Sequence, residues 1–216
     1  MYDFIKVNDE LYYVEGNENE PCPKIFLIVG KESSLLIDVG NKIEQVNSLY
    51  EGIKKYNLSP LKYIVITHFH DDHLHNINEF KDKEIIVSKQ TSKYIAFKVT
   101  IFIEKMTLNL GDLPLIIDDL PNSHAKGSLL VYLPNTKMMF VGDALAGRIL
   151  GNSYTINRSL TFELNKKLKE YEVNTYVEGH PKFSINNAKM ISEEIENYNR
   201  ILKETKGDNI EIKEDF

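Results

Sequence analysis

Four of the six histidines in this chain fall between residues 68 and 75, in the stretch YIVITHFHDDHLHN, with aspartates at 71 and 72 among them. An apolar run, Tyr63 to Ile66, leads directly into it. On an extended segment residues two apart point the same way, so His68 and His70 can address one point in space. Asp72 and His73 follow where the strand ends and the chain turns, aimed at a second point nearby. Imidazole and carboxylate donors in such a group suit zinc, iron or manganese. The simpler reading is a polar loop that happens to be rich in histidine. The other two histidines weigh against it. His124 stands in NSHAKGS just before an apolar hairpin, and His180 in VEGHPK at the end of an apolar strand. Asp143, in MMFVGDAL, also closes an apolar strand. Polar groups at several strand ends of one domain can meet on a shared rim.

The elements that must position these residues are mostly strands. YDFIKV, LYYVEG, KIFLIVG and SLLIDVG read as a meander. A helix is expected from Asn41, with Ile43, Val46, Leu49, Tyr50, Ile53 and Tyr56 on its buried face. KYIVI, EIIVS, TLNL, LPLIID and TYVEG are further strands, and GSLLVYLPNTKMMFVGD is a hairpin turning at Pro134-Asn135. Leu160, Leu164, Leu168 and Tyr171 mark a helix capped by Ser159. Ile185, Ala188, Ile191, Ile195, Tyr198 and Leu202 mark a longer one. Strands dominate each half, with helices between and after them. That pattern predicts an α+β fold with two packed sheets and helices outside. Residues 1–203 are expected to form one domain. Residues 204–216, charged and aperiodic, are expected to be a loose tail.

Composition sets the remaining bounds. At 216 residues, 42% apolar and 27% charged, the chain is ordinary for a globular domain. No run approaches the roughly 18 apolar residues of a membrane span, so no membrane partner is expected. MYDFIKVNDE lacks a secretory pattern, which leaves the cytoplasm as the expected location. One cysteine, Cys22, excludes an internal disulfide and a thiolate zinc cluster. The net charge of −6 and the lack of a Lys/Arg block argue against a nucleic-acid partner.

THFHDDH resembles the H-x-H-x-D-H signature of the metallo-β-lactamase superfamily, and the order and spacing of His124, Asp143 and His180 match the same family. The resemblance runs from SLLIDVG to VEGHP. It implies a four-layer αββα sandwich with two divalent metals, zinc first and iron or manganese compatible, at one edge of the sheets. It gives His68, His70 and His124 to the first metal and Asp72, His73 and His180 to the second, with Asp143 bridging. It makes Asp38 a support for the ligand loop, and Asp72 the catalytic group that orients a metal-bridging hydroxide. Two departures stand out. His75-Asn76 follows the signature where small residues are usual, and Asn122-Ser123 precedes His124 where Pro-Gly is usual.

The implied reaction is hydrolysis of a small ester, thioester or lactone. The carboxylate bridge resembles the hydroxyacylglutathione hydrolase branch, here without that branch's extra C-terminal domain. Asp143 stands where β-lactamases with a thiolate ligand carry cysteine. The alternatives are a mononuclear iron oxygenase of persulfide dioxygenase type and a phosphodiesterase of the same fold. A binding or sensor domain with a decayed site is disfavoured by the intact set of seven ligands. Arg148 and Tyr154 are candidate substrate contacts. The apolar segment 94–106 is expected to overhang the metal edge, with Phe97, Ile101 and Phe102 against an acyl group.

Overall fold

The structure is a computed structural model describing residues 2–150, 153–180 and 186–213; the side chains of 148–150, 153–154, 186–194, 197 and 212–213 lie outside the description. One sheet takes its seven strands in chain order: β1 (Phe4–Lys6), β2 (Leu11–Val14), β3 (Ile25–Val29), β4 (Ser34–Ile37), β5 (Leu61–Val65), β6 (Glu84–Ser88) and β7 (Thr100–Phe102). The first four form an antiparallel meander, while β4 to β7 run parallel. The second sheet contains β8 (Met106–Asn109), β9 (Pro114–Asp119), β10 (Leu129–Leu133), β11 (Met138–Gly142), β14 (Thr175–Glu178) and β15 (Asn186–Asn187), in the order β15-β14-β11-β10-β9-β8. A small third sheet joins β12 (Arg148–Leu150), β13 (Ser153–Asn157) and β16 (Asn209–Lys213). The helices are α1 (Ile43–Lys55), α2 (Asp71–Leu74), α3 (Arg158–Leu168) and α4 (Ala188–Glu204). Among the described residues no helix is long and apolar enough to cross a membrane.

Three apolar layers hold these elements together. Between the two large sheets, Phe26, Ile28, Leu35, Ile37 and Val65 pack against Leu115, Ile117, Val131, Leu133 and Phe140. Behind the first sheet, Leu27, Leu36, Ile64 and Val87 meet Val46 and Leu49 of α1 and Ile77 and Phe80 of the turn after α2. Behind the second, Leu130, Tyr132, Met139 and Val141 meet Leu164 and Leu168 of α3, with Ile195 of α4 against them. The central strands β3, β4, β10 and β11 are apolar on both faces because each lies between two such layers. The expected αββα order of layers is therefore present.

Several local expectations need correction. The buried face of α1 is Gln45, Val46, Ser48, Leu49 and Gly52, whereas Ile43, Tyr50 and Tyr56 are exposed. A Cβ at Gly52 would lie 2.3 Å from Cγ of Phe4, so the β1 ring sits directly on the helix backbone and turns that face inward. The cap of α3 is Asn157, whose side chain accepts from Leu160 N at 3.1 Å; Ser159 lies inside the helix. Within the tail expected to be loose, the described residues up to 213 include a paired strand. Asn209–Lys213 pairs antiparallel with β13, and Ile210 is buried with Ile156 and Leu202. Arg158 donates to the carbonyls of Leu202, Thr205 and Gly207, which ties the end of α4 to the start of α3. In segment 94–106, β7 extends the first sheet. Phe97 packs behind that sheet, Ile101 is exposed, and Phe102 packs toward the inter-sheet core while lining the depression beside Lys126, so none of the three overhangs the ligand cluster itself.

Candidate metal centre

Parallel pairing puts the ends of β4 and β5 side by side, and β11 and β14 likewise end together in the second sheet. Asp38 follows β4, His68 and His70 follow β5, Asp143 follows β11 and His180 follows β14. Leu129 N donates to Thr67 O at 2.8 Å, which ties the two sheets at this edge and brings in the loop carrying His124. All seven predicted ligands therefore meet at one place. Loop positions at strand ends are the usual way a rigid scaffold presents functional groups.

The donor atoms form three overlapping groups whose members lie within 4.8 Å of one another: His68, His70 and His124; His68, His73 and Asp143; and Asp72, His73 and His180. In the first, Nδ1 of His70 lies 3.1 Å from His68 Nε2 and 3.0 Å from His124 Nε2. In the last, Asp72 Oδ2 lies 3.3 Å from His180 Nε2 and 3.7 Å from His73 Nε2. Asp143 stands between them. Its Oδ2 is 3.2 Å from His180, 3.3 Å from His73, 3.6 Å from His124 and 4.0 Å from His68, at Nε2 in each case.

Two glycines make this geometry possible. Gly142 adopts φ +55°, which turns Asp143 out of β11; a Cβ there would lie 2.6 Å from Thr67 Oγ1. At Gly179 a Cβ would meet His73 Cε1 at 2.7 Å and Asp143 Oδ1 at 2.9 Å. Asp38 supports the ring behind them. Though not a glycine, it holds φ at 59° and is buried. Its carboxylate accepts from Thr67 N at 2.7 Å, Thr67 Oγ1 at 2.8 Å and His73 Nδ1 at 2.8 Å. The Nδ1–H of His73 is thereby committed to Asp38, leaving Nε2 to face Asp143 and Asp72. His124 Nδ1 similarly donates to Gly147 O at 3.2 Å.

Electrostatics divides the cluster into two halves. Burial, with the charge of His73 next, pushes the pKa of His68 well below the usual imidazole range. Burial likewise lowers His70 and His124, so this trio offers neutral imidazoles. Burial also opposes charge at His73, but Asp143 and Asp38 outweigh it and raise its pKa well above the usual range. The same opposition at His180 is overcome by hydrogen bonds with Asp143 and Asp72, which push its pKa up to about 9. Burial disfavours the ionised carboxylates, yet the surrounding histidines win and hold Asp143 well below, and Asp72 below, the usual carboxylate range. A buried anionic centre whose counter-charges are protons on imidazoles is a donor set in which divalent cations can replace those protons. The chemistry of the residues thus fits metal ions.

Of the other candidates, His75 points outward: its side chain is 57% exposed and pairs with Asp71 at 3.0 Å. Arg148 and Tyr154 fall on β12 and β13, and their side chains lie outside the described residues. Sequence reasoning missed Thr67, which links Asp38 to the metal-facing rings, and Gly179. Their adjacency to His68 and His180 was the available signal. The cluster opens into a cleft of about 1110 Å³ walled by Phe69, Leu120, Pro121, Leu160 and the loop 121–128.

Residues 24–97 match the family model described as the metallo-beta-lactamase superfamily. A curated relative, a linear primary-alkylsulfatase from Pseudomonas sp., is 29% identical over 68 residues, 32% of this chain and 13% of that protein. Among solved structures, a metallo-beta-lactamase from Pontibacter korlensis superposes with a TM-score of 0.72 at 18% identity, covering 95% of this chain and 100% of the other. The rubredoxin oxygen:oxidoreductase of Desulfovibrio gigas gives 0.73 at 15% identity, covering 95% of this chain and 63% of that one. The chain has the metallo-β-lactamase fold, and its residues 24–97 are similar to the metallo-beta-lactamase superfamily.

Proposed function

We propose that this protein is a metal-dependent hydrolase of a small ester, thioester or lactone. The observation that carries the reading is the meeting of an all-imidazole trio and a carboxylate-containing trio at the shared Asp143 Oδ2, on the floor of a wide cleft. His68, His70 and His124 would hold one ion, and Asp72, His73 and His180 a second, with Asp143 serving both. When bound, such a pair supplies a water acidic enough to act as nucleophile near neutral pH and a Lewis acid for the scissile carbonyl.

The chain's own residues do the remaining work. Asp72 is ionised and lines the cleft, so its carboxylate orients the attacking water and accepts its proton. Asp38 keeps His73 in the tautomer whose Nε2 faces the centre. Phe69, Leu120 and Leu160 give the acyl group an apolar wall and reduce water around it. Among the described residues neither serine of the cleft is paired with a base that would activate it, Ser123 Oγ accepting from Asn157 N at 2.8 Å and Ser128 Oγ donating to Ala125 O at 3.0 Å. This supports direct attack by water over an acyl-enzyme route. The carboxylate at position 143 supports the hydroxyacylglutathione hydrolase branch, and zinc is the metal proposed.

The test is a panel of thioesters, lactones, alkyl sulfates, phosphodiesters and single-stranded RNA, with Asp143→Ala as the blank and metal analysis of natively purified protein alongside. Metal-dependent acyl hydrolysis with two ions per chain is expected. Phosphodiester or sulfate ester cleavage with every acyl substrate inert refutes the reading. A single iron with Asp72 and His180 unbound replaces it with the mononuclear oxygenase.

A further inference from the structure

The metal cleft does not end at the loop that carries His124. A second depression, of about 390 Å³, lies beyond it and shares Asp119, Lys126, Gly127 and Ser128 with the cleft. Lys89, Lys93 and Lys126 line this annex from two segments, the turn after β6 and the β9–β10 loop. We infer that the annex recognises an anion, so that the substrate carries a carboxylate or phosphate at its far end; this rests on the hydrolase reading above and narrows its substrate class.

Three observations support it. The first is charge. Although the chain is acidic at −6 overall, among the described residues none of the three lysines pairs with a carboxylate. Other lysines are divided: Lys6 pairs with Asp9 at 2.7 Å, Lys42 with Glu20 at 2.5 Å and Lys137 with Glu172 at 2.6 Å, whereas Lys54, Lys98 and Lys166 have no carboxylate partner among the described residues, so what sets the annex apart is that three such lysines line one depression. The acid in the annex wall, Asp119, is engaged by Lys167 at 3.2 Å. Lys93 Nζ has only a neutral acceptor, Gln90 Oε1 at 2.7 Å.

The second is construction. Gly127 holds φ +77°, and a Cβ there would lie 2.9 Å from Ser88 Oγ and 3.0 Å from Gln90 Cβ. The His124 loop is therefore docked backbone-first on the turn after β6, which brings Lys126 alongside Lys89 and Lys93. That turn is itself fixed, since Ser88 Oγ accepts from Thr91 N at 3.2 Å. The third is reach. Lys126 follows His124 by two residues, a backbone span of at most about 7 Å, so one small molecule can touch both. Lysines act here as point charges, which suits a carboxylate or a phosphate equally.

The experiment compares matched butyryl-length esters and thioesters whose far end, on either arm of the scissile bond, bears a carboxylate, a phosphate or an uncharged carboxamide. In the wild-type holoenzyme the better anion should exceed the carboxamide by about tenfold in kcat/KM, a preference that shrinks with salt. In the Lys89→Gln, Lys93→Gln, Lys126→Gln triple variant the ratio should fall to about one. The larger of the carboxylate and phosphate ratios identifies the anion. No preference in the wild type, or one that survives in the variant, overturns the annex. Should every acyl substrate prove inert, the hydrolase reading fails and the annex is judged separately by calorimetric titration of glutarate and inorganic phosphate. Binding to the wild type that the triple variant loses supports it, and equal or absent binding in both overturns it.

Discussion

The most informative perturbation is Asp38→Asn. It preserves side-chain shape, and asparagine tolerates the left-handed conformation that Asp38 holds at φ 59°. What it removes is one acceptor. The carboxylate now accepts from both Thr67 N and His73 Nδ1, each within 2.8 Å. An amide has one oxygen, which the Thr67 N–H claims, so its NH₂ then faces His73. Two donors cannot meet there, so His73 must give up its Nδ1 proton and keep its one proton on Nε2, the atom that faces Asp143. One charge-assisted hydrogen bond in a buried site is worth about 1.5–3 kcal/mol, so a loss of about 2 kcal/mol in urea unfolding is expected. Loss of the metal-facing lone pair should weaken metal affinity about 10–100-fold, read by chelator competition. Nitrogen NMR of the imidazoles reports the tautomer directly. Wild-type affinity with the His73 proton still on Nδ1 would refute the reasoning.

Two further outcomes are expected. His73→Ala should lose one of two bound metals by elemental analysis, whereas His75→Ala should retain both, because His75 is exposed and paired only with Asp71; equal loss would mean that the ligand register is wrong. Away from the centre, burial opposes ionisation of Asp118, but Lys167 at 2.8 Å and Tyr171 at 2.5 Å outweigh it and hold its pKa below the usual carboxylate range. A depressed folded pKa means stabilisation that is complete above about pH 4 and lost as pH falls through the folded value. The wild type should thus lose urea resistance below pH 4 more steeply than Asp118→Asn, and parallel curves would exclude the pair as a contributor.

Local spacing is enough to expose most of the centre. The i, i+2 relation of His68 and His70 and the turn that follows are properties of a few consecutive residues, and apolar runs ending in His, Asp or Gly-His mark strand ends whatever the fold. The layer order was legible for the same reason, since strands apolar on both faces must be covered on both. What the chain alone does not reveal depends on contacts between distant residues. The inward face of α1 is set by Phe4 lying on Gly52, which leaves Ile43 and Tyr50 in solvent despite their helical spacing. Asn209–Lys213 forms a strand because β13 offers it an edge and Arg158 binds the carbonyls before it. Lys126 joins Lys89 and Lys93 because Gly127 lets its loop backbone pack on the side chains of Ser88 and Gln90. Periodicity records which residues can be buried; which of them are, and which charges end up facing the same cavity, follows from the close packing of segments that share no neighbourhood in sequence.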